Sequence, residues 1–460
     1  MFFHSLRFLV FFAVVFPVHA FLRKTPFMNA WLLIASYFFY AWWNPVYLLL
    51  IVATTLVDFY AVRQIEAGGR RKMWLVLSLT SNLGALAFFK YAGFFTRNLN
   101  GLLSLVGVSS ATPIIDPVLP LGISFFTFQS ISYAIDVYRG VVPAERNLIV
   151  YATYVSFFPQ MISGPICRAG WLIPQLRSSP VIRTEDVTAG ASLFLAGFFK
   201  KVAIADYLAI YVDRVYGAPE RFQAPALAMA TFAFAWQIYF DFSGYTDMAR
   251  GIARAMGFNL SPNFHAPYAA SDLGEFWGRW NITVSNWFRD YVYIPLGGNR
   301  HGRITTARNV LLTMIISGLW HGASWTFLVW GAIHGIGRVA TRELGPLAAL
   351  IRKTPGALQR AGVFCFVTFA WIFFRAGSIS DGCLIVVRLF RSGWEDPRFP
   401  VLMLIPIAAV WLWQMAQETE RPSKRLLDFS PARVALAVFM IGYLMFVSQS
   451  DTQKFIYFNF

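Results

Sequence analysis

The sequence predicts an all-α, polytopic membrane protein. Of its 460 residues, 57% are hydrophobic, 18% are aromatic and only 13% are charged, a composition that excludes an ordinary water-soluble globule. Apolar runs recur along the chain and indicate about 11 transmembrane spans. These runs are Phe8–Phe21, Asn29–Trp43, Val46–Val62, Met73–Phe95, Leu148–Ile166, Ala189–Val212, Ala224–Phe240, Asn309–Ile336, Ala361–Phe374, Val401–Met415 and Val434–Val447. Several are shorter than roughly 20 residues, so we also expect short or re-entrant helices around a central polar cavity.

Basic residues suggest how the chain is oriented. They cluster in the loop holding Arg23-Lys24 and in the segment from Arg63 to Lys72, whereas the Asn44-Pro45 turn between them carries no charge. The positive-inside rule therefore places both basic loops in the cytoplasm. The formal net charge of +16 is spread over such loops, which argues against nucleic acid and favours anionic headgroups and an anionic cytosolic substrate.

The sequence predicts a single domain without a metal site. No fixed-period repeat and no long polar linker divides the chain, so we expect one integral-membrane domain over residues 1–460. Cys167, Cys365 and Cys383 share no close ligand spacing, and the six histidines are dispersed. We therefore expect no metal site and no disulfide bond.

One ionisable side chain falls inside an apolar run. His321 lies in the stretch from Gly318 to Trp325, within a run long enough to cross a bilayer. A titratable group at membrane depth is costly, which makes His321 a functional-site candidate; the alternative is a polar residue hydrogen-bonded between helices. Trp320 and Ser324 are its candidate substrate-binding neighbours. His334 is interpreted as structural or as supporting the site.

A second polar group occupies one helical face. Gln237, Asp241 and Tyr245 are spaced at i, i+4 and i+8, so a helix presents all three on the same side. In lipid that side must face inward, and we predict that these residues bind substrate or line a pore. The alternative is that Asp241 only forms hydrogen bonds between helices.

A third group alternates aromatic and charged residues. The segment from Glu275 to Tyr291 indicates an amphipathic or buried polar helix, and it leads into a basic loop. We include Arg279, Arg289 and Arg300 as candidate substrate-binding residues because guanidinium groups bind phosphates bidentately. The alternative is an ordinary basic loop on the cytoplasmic side.

Several motifs together resemble those of a known family. They are Phe89-Lys90-Tyr91, Pro120-Leu121-Gly122-Ile123-Ser124-Phe125, Phe276-Trp277, the block from Tyr293 to Arg300, and Leu319-Trp320-His321-Gly322. In this order they resemble the membrane-bound O-acyltransferase (MBOAT) family, and more narrowly its bacterial alginate O-acetylation branch. The match runs from about Phe3 to Phe374. It implies a pore-like helical fold in a bacterial cytoplasmic (inner) membrane, with the site at mid-membrane.

The resemblance also implies roles for individual residues. His321 matches the family's catalytic histidine, which takes a proton from an acceptor hydroxyl as that oxygen attacks a thioester. Asn281 matches the second catalytic position, where the nearest bacterial relatives usually carry histidine, and Trp280 beside it is a substrate-binding candidate. An amide orients the substrate or donates to a developing oxyanion, but it cannot shuttle a proton.

The function implied is transfer of acetyl from a cytosolic donor, acetyl-CoA, across the membrane for O-acetylation of an exported polysaccharide such as alginate. No bound cofactor is expected. The implied partners are an extracytoplasmic SGNH-type acetyltransferase and the polymer. Two alternatives stay open: D-alanyl transfer to teichoic acid, as in a related branch of the family, and a transporter or channel, since inward polar groups also suit an ion path.

Overall fold

The computed structural model describes residues 1–108, 112–343, 353–418 and 430–447. Within those ranges the chain forms helices and loops and contains no strand, so the predicted all-α class is confirmed. The chain groups into two compact units. Unit 1 comprises Met1–Phe194 and Met248–Ser261, and unit 2 comprises Leu195–Asp247 and Pro262–Phe460. One integral domain over residues 1–460 stays a prediction.

Unit 1 contains the first ten α-helices, the tenth for most of its length. They are α1 (Leu6–Leu22), α2 (Met28–Ala41), α3 (Val46–Glu66), α4 (Arg71–Leu86), α5 (Ala92–Leu105), α6 (Ile123–Tyr138), α7 (Leu148–Ser156), α8 (Phe158–Met161), α9 (Ala169–Arg177) and α10 (Thr184–Phe199). A π-helical segment, Ala87–Tyr91, joins α4 to α5. Gly122 caps α6 with a φ of 74°, a left-handed conformation that glycine adopts without steric cost.

A buried aspartate in unit 1 forms hydrogen bonds with the neighbouring helix. Asp58 of α3 is fully buried and accepts hydrogen bonds from Ser78 Oγ at 2.6 Å and from Asn82 Nδ2 at 2.9 Å, both on α4. Hydrogen bonds of this kind join helices where lipid offers no polar partner. They fix α3 against α4.

Unit 2 contains the other α-helices of the described residues. They are α11 (Asp206–Tyr216), α12 (Ala224–Ala255), α13 (Leu273–Arg279), α14 (Ile282–Phe288), α15 (Gly302–His321), α16 (Trp325–Glu343), α17 (Gly356–Arg375), α18 (Ile379–Arg391), α19 (Leu404–Glu418) and α20 (Ser430–Val447). The last turns of α12 belong to unit 1. Two further π-helical segments, Lys200–Ala205 and Arg289–Tyr293, lie in this unit. Its core is rich in large aromatic side chains, including the fully buried Trp236, Trp280, Trp330 and Trp371.

The apolar helices have the character of membrane spans. Among the described residues, Val46–Glu66, Arg71–Leu105 and Gly356–Arg375 are each long and apolar enough to cross a bilayer. Shorter apolar helices include Leu6–Leu22 and Met28–Ala41. The predicted membrane character is confirmed. The number of about 11 spans and the central polar cavity stay predictions.

Two predicted continuous segments are interrupted in the structure. The apolar run Asn309–Ile336 was predicted to cross the membrane once, but it turns back after His321 and forms the two helices α15 and α16. The polar helix predicted from Glu275 to Tyr291 is broken between α13 and α14 at Asn281. Both interruptions coincide with a residue to which the family resemblance gives a catalytic role.

Candidate active site

His321 is the last residue of α15, at the turn of a tight helical hairpin. A side chain at Gly318 would clash with the carbonyl oxygen of Phe327, and one at Gly331 would clash with that of Met314, so α15 and α16 run antiparallel with their backbones in close contact. Only glycine permits this separation. The hairpin therefore fixes the backbone on both sides of the histidine.

Three aromatic rings fix the orientation of the His321 imidazole. The ring centroids of Trp320, Trp330 and Phe374 lie 4.9, 5.0 and 5.2 Å from that of His321, each in an edge-to-face arrangement. Only 4% of the residue is exposed. A buried imidazole between tightly packed rings has few orientations available, which is the preorganisation a general base needs.

Ser324 and Trp320 are placed differently from one another. Ser324 Oγ accepts a hydrogen bond from the backbone N–H of Thr326 at 3.3 Å, so it caps the first turn of α16. Trp320 is buried and contacts Phe288 as well as His321. Trp320 thus contacts the candidate base His321, whereas the hydroxyl of Ser324 caps the second helix of the hairpin. Their binding of substrate stays a prediction.

Asn281 lies in the break between α13 and α14. Its backbone is left-handed, with φ 42° and ψ 55°, a conformation that asparagine tolerates better than most residues. The residue is 2% exposed, and its side-chain Oδ1 has no hydrogen-bond partner among the described residues. A buried acceptor without a partner, on a left-handed backbone, is typical of a residue retained for a ligand.

The loop before α13 fixes this break, through a residue that the sequence analysis missed. Asn263 O accepts from Ile282 N at 2.9 Å, and Asn263 Oδ1 accepts from Thr283 Oγ1 at 2.7 Å. His265 N donates to Arg279 O at 3.0 Å. These bonds hold both sides of Asn281. Asn263 stands in a loop without periodicity, so no sequence pattern indicates this role.

A chain of aromatic contacts connects the two candidate catalytic residues. Trp280, directly before Asn281, packs on Trp371 with ring centroids 5.2 Å apart. Trp371 stacks on Trp330 at 5.8 Å, and Trp330 contacts the ring of His321. Asn281 and His321 are therefore held in one continuous aromatic core within unit 2. Trp280 contributes to that core, and its binding of substrate stays a prediction.

His334 lies in the same aromatic core. Its ring is fully buried, 4.9 Å from Trp330 and 5.1 Å from Trp277, and neither ring nitrogen has a hydrogen-bond partner among the described residues. Trp330 thus lies in contact with both histidines. A structural or site-supporting role of His334 stays a prediction.

Asp241 is paired with a lysine that the sequence analysis did not single out. Lys201 Nζ lies 2.8 Å from Asp241 Oδ1 and 2.7 Å from Asp206 Oδ1, and 2% of the lysine side chain is exposed. Lys201 belongs to the π-helical segment Lys200–Ala205, and such segments are frequent at functional sites. Two adjacent lysines inside an apolar run were the signal available in the sequence. Gln237 and Tyr245 are buried on the same helix as Asp241.

The three candidate arginines have different surroundings. Arg279 forms an ion pair with Glu275 one turn before it, Arg289 pairs with Asp290 at 2.8 Å, and Arg300 is exposed. Burial by itself would raise the pKa of Glu275, but hydrogen bonds from Ser271 and the charge of Arg279 outweigh it and lower that pKa. Arg289 and Arg300 are both exposed, whereas Arg279 is partly buried. Their binding of substrate stays a prediction.

Unit 2 thus combines an apolar helix with a buried histidine at a hairpin turn and a buried amide at a helix break. The model of the MBOAT, membrane-bound O-acyltransferase family matches residues 142–379. The chain belongs to this family, and the predicted resemblance is confirmed. The protein is therefore an O-acyltransferase of the membrane.

Three relatives with named activities are similar to this chain. A probable alginate O-acetylase AlgI of Pseudomonas putida is 40% identical over 400 residues, which cover 86% of this chain and 81% of that protein. A peptidoglycan O-acetyltransferase of Helicobacter pylori is 31% identical over 500 aligned residues, covering 97% of this chain and 94% of that protein. A teichoic acid D-alanyltransferase of Streptococcus thermophilus is 30% identical over 234 residues, covering 48% of this chain and 56% of that protein.

Proposed function

We propose that this O-acyltransferase takes acetyl from a cytosolic thioester donor, acetyl-CoA, and passes it across the cytoplasmic membrane for O-acetylation of an exported polysaccharide such as alginate. The observation that carries the proposal is the buried His321 imidazole, fixed by three aromatic rings at the end of α15. The names of the relatives, an alginate O-acetylase and a peptidoglycan O-acetyltransferase, support acetyl as the group transferred.

The reaction requires one base and one group that orients the reactants. As the acceptor hydroxyl oxygen bonds to the thioester carbonyl carbon, its proton passes to the imidazole of His321. When the tetrahedral intermediate collapses, the carbon–sulfur bond breaks and the thiolate takes that proton from the imidazolium. A single histidine thus accepts the proton from the hydroxyl and returns it to the thiolate, so no second acid or base is needed.

Asn281 takes the orienting role in this proposal. Its side-chain amide offers an acceptor and two donors, and the buried Oδ1 is left without a partner among the described residues. The acceptor hydroxyl of a substrate would satisfy that oxygen, while the amide N–H groups suit a developing oxyanion. An amide does not titrate near neutral pH, so this position orients without exchanging protons.

The acceptor half of the reaction needs further proteins in this proposal. An extracytoplasmic SGNH-type acetyltransferase would receive the acetyl group and esterify the polymer outside the membrane.

The two basic loops that the positive-inside rule places in the cytoplasm favour entry of an anionic donor from that side.

D-alanyl transfer to teichoic acid is the second candidate, and the Streptococcus thermophilus relative favours it over about half of this chain. The two candidates differ in their donors. Purified protein is incubated with radiolabelled acetyl-CoA in one reaction and with a D-alanyl-loaded carrier protein in the other. Release of acetyl from CoA alone supports acetyl transfer. Release of D-alanine from the carrier alone overturns the acetyl proposal.

A further inference from the structure

Unit 1 contains a polar pocket that is lined by none of the candidate site residues described above. It has a volume of about 360 Å³ and lies between the end of α12 and the start of α10. Arg250 and Arg254 of α12, four residues apart on one helical face, line it together with Asp186 of α10. The loop from Gly257 to Leu260 also lines the pocket. The pocket is large enough for a phosphate group and part of the molecule that carries it.

The charges in the pocket favour an anion. Arg254 Nε lies 3.2 Å from Asp186 Oδ1, and Arg250 Nε donates to Leu260 O at 3.4 Å. The charged residues of the lining are thus two arginines and one aspartate, so guanidinium groups outnumber carboxylates. Each guanidinium carries five N–H donors in a planar fork, and pairs of these donors match phosphate oxygens.

The loop that lines the pocket is fixed by α9. Asn259 N donates to Gln175 Oε1 at 2.8 Å, and Asn259 O accepts from Trp171 Nε1 at 2.7 Å. Gly257 has a φ of 85°, which allows the sharp turn after α12. A rim held by these bonds is preorganised, so little ordering of the loop opposes binding of a ligand.

The pocket lies at one identifiable end of unit 1. His19, in the last turn of α1, has its Nε2 2.9 Å from Met256 O, and its ring contacts Phe258. Arg23-Lys24 follows α1 directly. Since the positive-inside rule places that basic loop in the cytoplasm, the turn after α12 belongs to the cytoplasmic end as well.

We propose that Arg250 and Arg254 form a phosphate-binding site at the cytoplasmic end of unit 1. The phosphate has two possible sources: a soluble nucleotide such as the adenosine phosphates of CoA, or the headgroup of an anionic phospholipid. The nucleotide source rests on the proposed function, because it makes the pocket part of donor binding. Phosphate recognition itself does not depend on acetyl transfer.

The first experiment titrates the full-length protein, in a micelle of uncharged detergent, with adenosine 3′,5′-diphosphate and follows binding by calorimetry. Arg250→Gln and Arg254→Gln each remove a charge-assisted contact and are expected to weaken binding on the order of tenfold or more. Arg146→Gln is the matched control, an exposed arginine of the same unit that does not line the pocket. Its affinity should equal that of the unchanged protein.

The second arm tests the lipid source. The same proteins are placed in nanodiscs that contain phosphatidylcholine and phosphatidylglycerol, and the lipid that stays bound on release is identified by native mass spectrometry. Retention of phosphatidylglycerol by the unchanged protein and by the Arg146 variant, with loss in both pocket variants, assigns the site to a headgroup.

Asp186→Asn separates binding from a purely structural role. Removing this carboxylate frees Arg254 from its ion pair and takes a negative charge out of the pocket, so affinity for phosphate should rise. If Arg254 and Asp186 serve only to hold α10 against α12, the same variant should show no change in affinity and a lower unfolding temperature. That result, or equal binding of both ligands by all variants, overturns the site. Since no transfer is measured, failure of acetyl transfer leaves this test unaffected.

Discussion

Lys201 Nζ lies 2.8 Å from Asp241 Oδ1, with the lysine side chain only 2% exposed and the aspartate side chain 4%. Asp206 makes a second contact with the same ammonium group, at 2.7 Å. One cation thus satisfies two buried carboxylates, and it joins the π-helical segment Lys200–Ala205 to α12. Lys201, which lies in the same unit, therefore anchors the polar face of α12 through Asp241.

Lys201→Met is expected to destabilise the protein strongly. It leaves two carboxylates buried without their cation, a change that costs about 3 kcal/mol or more. Arg97→Gln, which breaks the exposed pair of Arg97 with Asp116, is the control and is expected to cost about 1 kcal/mol or less. Thermal unfolding in detergent measures both. Equal unfolding temperatures for the two variants would show that the buried pair contributes little.

Gly318→Ala should open the hairpin that holds His321. The added methyl group would clash with the carbonyl oxygen of Phe327, so the variant should lose transfer activity and unfold at a lower temperature. Gly362→Ala is the matched control, since nothing lies within 4 Å of a methyl group at that helical position. Full activity of the Gly318 variant would contradict a requirement for close packing of α15 on α16.

Asn281 allows its backbone and its amide to be tested separately. Asn281→Ala loses the amide and also places alanine in a left-handed conformation, at a cost of roughly 1 kcal/mol. Asn281→Gly loses the amide but adopts that backbone freely. We expect the glycine variant to unfold close to the unchanged protein and still to lose most transfer activity. Restored activity in the glycine variant alone would assign Asn281 a backbone role only.

The Glu275 pair predicts a specific dependence of stability on pH. Because the folded-state pKa of Glu275 lies below its unfolded-state value, the stabilisation is fully present above the unfolded-state pKa, about 4.3, and is lost as pH falls through the folded-state pKa. Glu275→Gln should therefore flatten the acid limb of an unfolding-temperature curve. Glu220→Gln, in an exposed pair with Arg221, should leave that limb unchanged. Identical limbs for both variants would refute the linkage.

Sequence patterns predicted the parts of this structure that depend on composition and on period. Apolar composition indicated membrane helices, and the spacing of Gln237, Asp241 and Tyr245 placed them on one helix, as the structure does. These features are local, so a single sequence is enough to find them.

Features that depend on distant contacts were not predicted. A hairpin of small residues and a single span are equally apolar, so periodicity alone did not reveal the turn after His321. The break at Asn281 depends on bonds from Asn263, which lies 18 residues earlier in a loop. Lys201 finds its partner Asp241 only after α12 packs against its segment. In each case tertiary contacts decide the local structure.

The most direct test of the proposed function is transfer of radiolabelled acetyl from acetyl-CoA by the purified protein, with His321→Ala compared with His301→Ala. Both substitutions remove an imidazole associated with α15, but His301 is exposed at its start whereas His321 is buried at its end. We expect label to leave CoA with the unchanged protein and with the His301 variant, and we expect the His321 variant to lose two or more orders of magnitude in rate. Equal rates for both histidine variants would contradict His321 as the catalytic base.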